Sequence, residues 1–258
     1  MLTSLQNPLV KQIRKLHQSK GRREQQLFLV EGTHLLEEAC RRDYPLIIVC
    51  YTPEWQEKHK SLCELVSQKA QRIELVNGRV IQSLATTVNP DGVVAMAPQS
   101  QTNFMKIKTL GIALDKIQDP GNLGTIIRTA TATNIDGLFV SRNSVDLYHP
   151  KVVRSSAGVW FHLPMVISED LESKVLQLKT QGLQIVVTIP NSTINYWEID
   201  LRKPTLIVMG NEGSGISRDL IDLADYSVKI PLSNGVESLN VAISTAIILY
   251  EVQRQRQS

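Results

Sequence analysis

Apolar residues Leu5, Leu9, Ile13 and Leu16 recur at helical spacing, and Asn7-Pro8 supplies an N-cap followed by proline at the first helical position. The spacing predicts a helix from Pro8, with Lys11, Arg14 and Lys15 mostly on its wet face. Leu27–Val30 reads as a short strand and Thr33–Arg42 as a helix. Leu46–Tyr51 is a continuous apolar run bounded by Pro45 and Pro53, the pattern of a strand buried on both faces. Glu54–Lys69 reads as helix, Ile73–Val76 as strand, Arg79–Leu84 as a short helix and Val93–Ala97 as a strand. The polar stretch Pro98–Asn103 lacks apolar periodicity and marks a linker. Beyond it, strands are expected at Gly111–Leu114, Gly137–Val140, Pro164–Val166, Gln184–Thr188, Thr205–Met209 and Ser227–Ile230. Helices are expected at Leu123–Thr133, Leu171–Thr180, Arg218–Leu223 and Val241–Gln253. Strands alternating with helices imply an α/β fold in both halves: a small sandwich over residues 1–98, a linker at 99–103, and a domain with a parallel sheet over 104–258.

The final helix departs from the amphipathic norm. Val241–Tyr250 is apolar on nearly every side, so the pattern predicts burial nearly all round. In a chain of this size, one face would pack on its own sheet and the other on a second subunit.

The 258 residues suit one large domain or two modest ones, and 42% hydrophobic with 21% charged residues excludes disordered and fibrous classes. No apolar run approaches the roughly 18 residues of a membrane span. The basic, acid-poor start has the look of an organelle transit peptide. It lacks the apolar core and cleavage site of a signal peptide, and regular structure is expected at once, so the expectation is cytoplasmic. Cys40, Cys50 and Cys63 are an odd, widely spaced set that fits neither a disulfide framework nor a zinc site. The net charge of +3 is unevenly placed. Residues 1–23 carry Lys11, Arg14, Lys15, Lys20, Arg22, Arg23 and no acid, leaving a slightly acidic remainder. Such a block reads either as an anion-binding arm for RNA or DNA or as a solvated helix face.

Three stretches carry candidate chemistry. Leu114–Arg128 runs from a strand end through a Pro-Gly turn into a helix capped near Asn122, whose backbone N–H groups can face an anion. Asn122 reads as an N-cap or an active-site amide, and Arg128 as a surface cation or a functional one. Leu206–Ser217 is an apolar strand entering a loop with glycines at 210, 213 and 215. That order is wrong for the dinucleotide fingerprint and for a P-loop, yet it leaves room for a ligand against the backbone. Val228–Asn240 passes from a strand through a polar loop to the last helix, with Ser238 and Asn240 where caps belong.

Together, DPGNLGTIIRTA (119–130), MGNEGSGIS (209–217) and IPLSNGVESLNVA (230–242) resemble the three motifs of SpoU-type RNA ribose 2′-O-methyltransferases of the SPOUT superfamily. No motif position departs from that pattern. The first half resembles the family's L30e-like substrate-binding domain through Ser4, Asn7-Pro8 and Lys11, Phe28–Gly32 and Pro90–Ala95. The resemblance implies a C-terminal trefoil-knotted domain, a homodimer, and S-adenosylmethionine held by Met209, Gly210, Gly213, Ile230 and Leu239. It implies Arg128 as the catalytic residue, with Asn122, Glu212, Ser238 and Asn240 completing the set. Asn122 and Asn240 would orient groups, Glu212 would orient Arg128 or the ribose, and Ser238 would anchor its loop. No metal is implied, and none of the five histidines falls in the motifs. Lys151 and Arg154, in the family-like stretch His149–Gly158, join Lys11, Lys20, Arg22 and Arg23 as expected RNA contacts. The implied activity is methyl transfer to a ribose 2′-hydroxyl of RNA, with ribosomal RNA favoured over tRNA. A non-catalytic RNA-binding or ribosome-assembly protein on the same fold is the alternative from another class. A dinucleotide oxidoreductase is disfavoured by the glycine order.

Overall fold

A computed structural model describes residues 1–100 and 105–257. The first elements are α1 (Pro8–Lys15), α2 (Ser19–Gln25), β1 (Leu27–Glu31), α3 (Thr33–Arg41), β2 (Ile48–Tyr51), α4 (Pro53–Lys58), α5 (Lys60–Lys69), β3 (Ile73–Leu75), α6 (Gly78–Leu84) and β4 (Val93–Pro98). They are followed by β5 (Leu110–Leu114), α7 (Pro120–Ala132), β6 (Gly137–Ser141), α8 (Pro150–Ser155), β7 (Met165–Ser168), α9 (Leu171–Thr180) and β8 (Gln184–Thr188). The last are β9 (Ile194–Asn195), β10 (Thr205–Met209), α10 (Arg218–Asp222), β11 (Tyr226–Lys229) and α11 (Val241–Gln257).

Three elements differ from the apolar pattern. The helix expected over Glu54–Lys69 is two, broken at His59, which leaves the helical region at φ −125° and ψ 47°. Trp55, buried in the core, stacks between Tyr51 and His59 with ring centroids 5.2 Å from each, and this fixes the break. Helices α2 and α8 lie where periodicity predicted nothing, because both are short and neither carries an apolar stripe long enough to register.

The chain divides into two compact units, but not by a single cut. One comprises Met1–Gln101 with Asp146–Phe161, the other Thr102–Val145 with His162–Ser258. Most of the expected linker, at 101–103, and the expected domain start at 104 lie outside the described residues. The segment around α8 joins the first unit for a packing reason. Phe28 of β1 meets the rings of Tyr148 and Trp160 at 5.2 and 5.0 Å, and Tyr44 meets Phe161 at 5.2 Å.

The first unit is built on a four-stranded sheet in the order β1-β4-β2-β3, antiparallel except for the β2–β3 pair. Leu9, Ile13 and Leu16 pack with Val80, Ile81 and Leu84 of α6 over one face. The Asn7 side chain accepts from Leu9 N and Pro8 opens α1, as the local sequence predicts. Two buried ions then tie distant segments together. Arg22 is 1% exposed; its Nε donates to Asp146 Oδ2 at 2.8 Å and its Nη1 to the carbonyls of Leu16 and His17. The burial corrects the reading of Arg22 as an RNA contact: its guanidinium is turned inward, Nη1 toward carbonyls at the α1–α2 corner and Nε and Nη2 toward Asp146. Glu31 is the mirror case, accepting from Thr86 N and Oγ1 and pairing with Arg154 at 3.0 Å. Arg154 thus pairs with a buried carboxylate while 28% of its side chain stays exposed. Lys11, Lys20 and Arg23 are exposed, as is Lys151.

The second unit holds a seven-stranded sheet in the order β7-β6-β5-β10-β8-β11-β9, parallel at every pairing. Strands β5, β6 and β10 are buried throughout, which explains why they read as unbroken apolar runs. From β5 the order steps outward to β6 and β7, then the chain returns to the other side of β5. Such a reversal leaves a crevice beyond the carboxyl ends of β5 and β10, after Leu114 and Met209. Helices α7 and α11 pack side by side. Within the single chain the last helix is buried on one face and leaves Ile243 and Tyr250 53% and 55% exposed on the other, the face expected to meet a second subunit. Among the described residues no helix is long and apolar enough to cross a membrane.

Removing one partner of a buried ion pair strands the other charge, so Asp146→Ala is expected to lower the unfolding free energy by about 3 kcal/mol. A urea titration measures this, and a loss below about 1 kcal/mol would show that the Arg22–Asp146 pair contributes little to the first unit.

Candidate active site

The start of α7 is capped by Asp119, not by Asn122: Asp119 Oδ1 accepts from Asn122 N at 2.8 Å. With Asp119 as cap and Pro120 in the first helical position, Asn122 sits in the first turn with its side-chain amide free for other work. That amide donates to Glu212 Oε1 at 2.7 Å. Asn240 Nδ2 donates to the same oxygen at 2.9 Å and to Asn122 Oδ1 at 3.0 Å. Val241 N adds a third bond to Glu212 Oε1 at 3.1 Å. Asn240 also caps α11, its Oδ1 accepting from Ala242 N and Ile243 N at 3.0 and 3.3 Å. One carboxylate oxygen thus gathers three N–H donors, while Glu212 Oε2 has no partner among the described residues.

The loop carrying Glu212 is held rigidly by residues that sequence reasoning passed over. Asn211 Oδ1 accepts from Gly213 N and Ser214 N at 2.7 and 3.0 Å, and its Nδ2 donates to the Lys116 carbonyl at 2.9 Å. Its backbone exchanges two hydrogen bonds with Gly215. Asp115, buried beyond β5, accepts from Ser217 N at 2.9 Å through Oδ2. Asn211 stood inside the second motif, where an Asn beside a glycine-rich turn is a recognisable turn former, and Asp115 stood at the strand end ahead of the first. Gly210 has a different reason to be glycine than ligand approach. A Cβ there would lie 2.4 Å from the carbonyl of Gly215 and 2.6 Å from Ile216 Cγ1, so the loop's own closure excludes a side chain.

Beneath this loop lies a cavity of about 200 Å³ at the ends of β8, β10 and β11. Its apolar lining includes Ile189, Met209, Ile216, Ile230, Leu239 and Val241, with Glu212, Glu237 and Ser238 among its polar groups. Gly210 and Gly213 also line it, so all five residues expected to hold a cofactor fall on one cavity wall. Thr188, at the end of β8, lines it too, and its Oγ1 is buried without a hydrogen-bond partner. Such an orphan hydroxyl costs about 1–3 kcal/mol unless a ligand or water satisfies it.

Of the residues expected to act together, Asn122, Glu212 and Asn240 meet directly. Ser238 lines the cavity, but its hydroxyl makes no hydrogen bond among the described residues, so it does not anchor its loop. Arg128 stands apart: six residues beyond Asn122, about 9 Å along the helix axis, exposed and without an ion pair among the described residues. Glu212 therefore orients Asn122 and Asn240 within its own chain, not Arg128. Among the described residues no three His, Cys, Asp or Glu side chains gather as a metal site.

Residues 109–250 match the SpoU rRNA Methylase family, and residues 7–95 match the MRM3-like substrate binding domain. An uncharacterized tRNA/rRNA methyltransferase of Synechocystis sp. is 45% identical, over 99% of this chain and 94% of that protein. The 23S rRNA (guanosine(2553)-2'-O)-methyltransferase of Bacillus subtilis is 31% identical, over 98% of both. The crystal structure of an AdoMet-bound rRNA methyltransferase from Sinorhizobium meliloti superposes with a TM-score of 0.90 at 31% identity, covering 100% of this chain and 98% of that one.

The closure of the loop on Gly210 yields a direct test. Gly210→Ala is expected to cost about 1–3 kcal/mol as overpacking against backbone that cannot rotate away. Thermal unfolding without any ligand reads the effect, and an unchanged midpoint would mean the loop opens freely.

Proposed function

The chain belongs to the SpoU rRNA methylase family, and from that membership we propose that it transfers a methyl group from S-adenosylmethionine to a ribose 2′-hydroxyl of ribosomal RNA. The observation that carries the reading is the junction of Asn122, Glu212 and Asn240 beside an apolar cavity. Ribosomal RNA is favoured over tRNA because the Bacillus relative, matched across both units, is named for 23S rRNA. A substrate-binding domain ahead of the catalytic unit agrees.

The cavity suits the cofactor. Met209, Ile230 and Leu239 offer apolar walls for an adenine ring, Gly210 and Gly213 offer bare backbone, and Thr188 offers an unpaired hydroxyl for a polar edge. When bound, S-adenosylmethionine supplies an electrophilic methyl whose bond to sulfur breaks, its electron pair staying on sulfur, as the bond to the ribose oxygen forms. The chain's task is to place that oxygen, exclude water and receive the hydroxyl proton. Glu212 Oε2 is the open acceptor at the junction, and it orients the 2′-hydroxyl while Oε1 is fixed by its three donors. An arginine side chain is a fixed cation rather than a base, so Arg128 acts on the developing oxyanion or the adjacent phosphate. The exposed cations Lys11, Lys20, Arg23 and Lys151 serve RNA phosphates.

Arg128 lies away from the cavity of its own chain, and α11 beside it leaves Ile243 and Tyr250 exposed. An apolar face next to a lone arginine supports a homodimer in which Arg128 serves the partner's cavity. A knotted catalytic unit and action in the cytoplasm belong to the same reading.

Comparing 2′-O-methyl sites in total RNA with and without the gene tests the activity: loss of one or a few ribose methylations in rRNA is expected, and an unaltered map overturns it. Arg128→Ala should bind S-adenosylmethionine normally yet lose about 10²- to 10³-fold in turnover. Unfolding and re-pairing Arg128→Ala with Glu212→Gln should recover about a quarter of wild-type activity, since half the dimers are mixed and each has one intact site. Pairing without recovery would place Arg128 at its own chain's cavity.

A further inference from the structure

Charge at the cavity adds something that the methyl-transfer chemistry alone does not demand. Among the side chains lining the cavity, the only charged ones are Glu212 and Glu237. Neither has an ion-pair partner among the described residues. Glu212 is occupied on one oxygen by neutral amide and backbone donors only, and Glu237 makes no hydrogen bond there. Lys229 joins both glutamates in the lining of the adjoining groove. Both carboxylates are exposed, and most of the lining beside them is apolar or uncharged, so a cation in the cavity meets their field with no competing charge from that lining.

We infer that Glu237, reinforced by Glu212, makes the cavity discriminate the positively charged sulfonium substrate from its neutral thioether product, S-adenosylhomocysteine. The inference rests on the methyltransferase reading and adds a selectivity device to it. The two ligands share adenosine, carboxylate and ammonium groups and differ by one methyl and one positive charge at sulfur. Contacts to the shared parts cannot separate them, whereas an unpaired carboxylate favours the sulfonium and releases the thioether once the methyl has gone. Glu237 suits the test because the Asn122–Glu212–Asn240 junction does not include it.

Calorimetric titration of wild type, Glu237→Gln and Glu237→Asp with each ligand decides the matter. Glu237→Gln should weaken S-adenosylmethionine about three- to ten-fold and change S-adenosylhomocysteine by less than two-fold. The preference for substrate over product then shrinks, and Glu237→Asp restores it. Raising salt should shrink the same preference in wild type and have little effect in Glu237→Gln. Equal weakening of both ligands, or an unchanged ratio, overturns the inference and leaves Glu237 a shape-forming residue. Wild type that binds neither ligand would instead overturn the methyltransferase reading itself, and the selectivity with it.

Discussion

A single carboxylate oxygen, Glu212 Oε1, is the point through which the catalytic unit is tied together. Its three donors come from the first turn of α7 and the start of α11, segments separated from it by 90 and 28 residues. A charge-assisted acceptor bonded to three N–H groups is stronger than three separate neutral contacts, and its geometry leaves little freedom. The consequence is positional: the beginning of two helices and the apex of one loop hold fixed places around the cavity before any ligand arrives. Preorganisation of this kind spares the enzyme reorganisation when the reaction occurs.

The loop that carries Glu212 is held in turn from below. Asp115 takes one end through Ser217 N, Asn211 takes the other through Lys116 and its own turn, and Gly210 admits the crossing strand of Gly215. Gly210, Asn211 and Gly215 also line the cavity, so the contacts that close the loop shape the cavity's wall as well. The sheet order explains why the arrangement sits here. A reversal between β5 and β10 opens a crevice at their carboxyl ends, and all three motif segments start at such ends or at the helices beside them.

In the first unit the corresponding constraints are ionic. Arg22 and Glu31, each buried, recruit Asp146 and Arg154 from a segment more than a hundred residues away. Two cations that look like surface charges in the sequence, Arg22 and Arg154, thereby gain structural partners. The cost of burying a guanidinium is offset by carbonyls at a helix corner as well as by its carboxylate, so its orientation is over-determined.

The sequence by itself determined the family, the alternation of strands and helices, and the fully buried strands, because apolar runs and local caps are written in neighbouring residues. It also pointed to the glycine-rich loop and to Asn122, Glu212 and Asn240 as a set, through motif resemblance alone. It did not reveal what those residues do to one another, since Asn122 reads as a cap until Asp119 is seen to hold that place. Nor did it separate Arg22 from Arg23, adjacent and chemically identical, one buried and one exposed. It grouped α8 with the second half, whereas that segment packs with the first unit, and it passed over Asp115 and Asn211. These were decided only by the tertiary structure, for one physical reason: a hydrogen bond or ion pair between residues far apart leaves no periodic trace along the chain, and the role of a polar side chain depends on which partner folding brings within 3 Å.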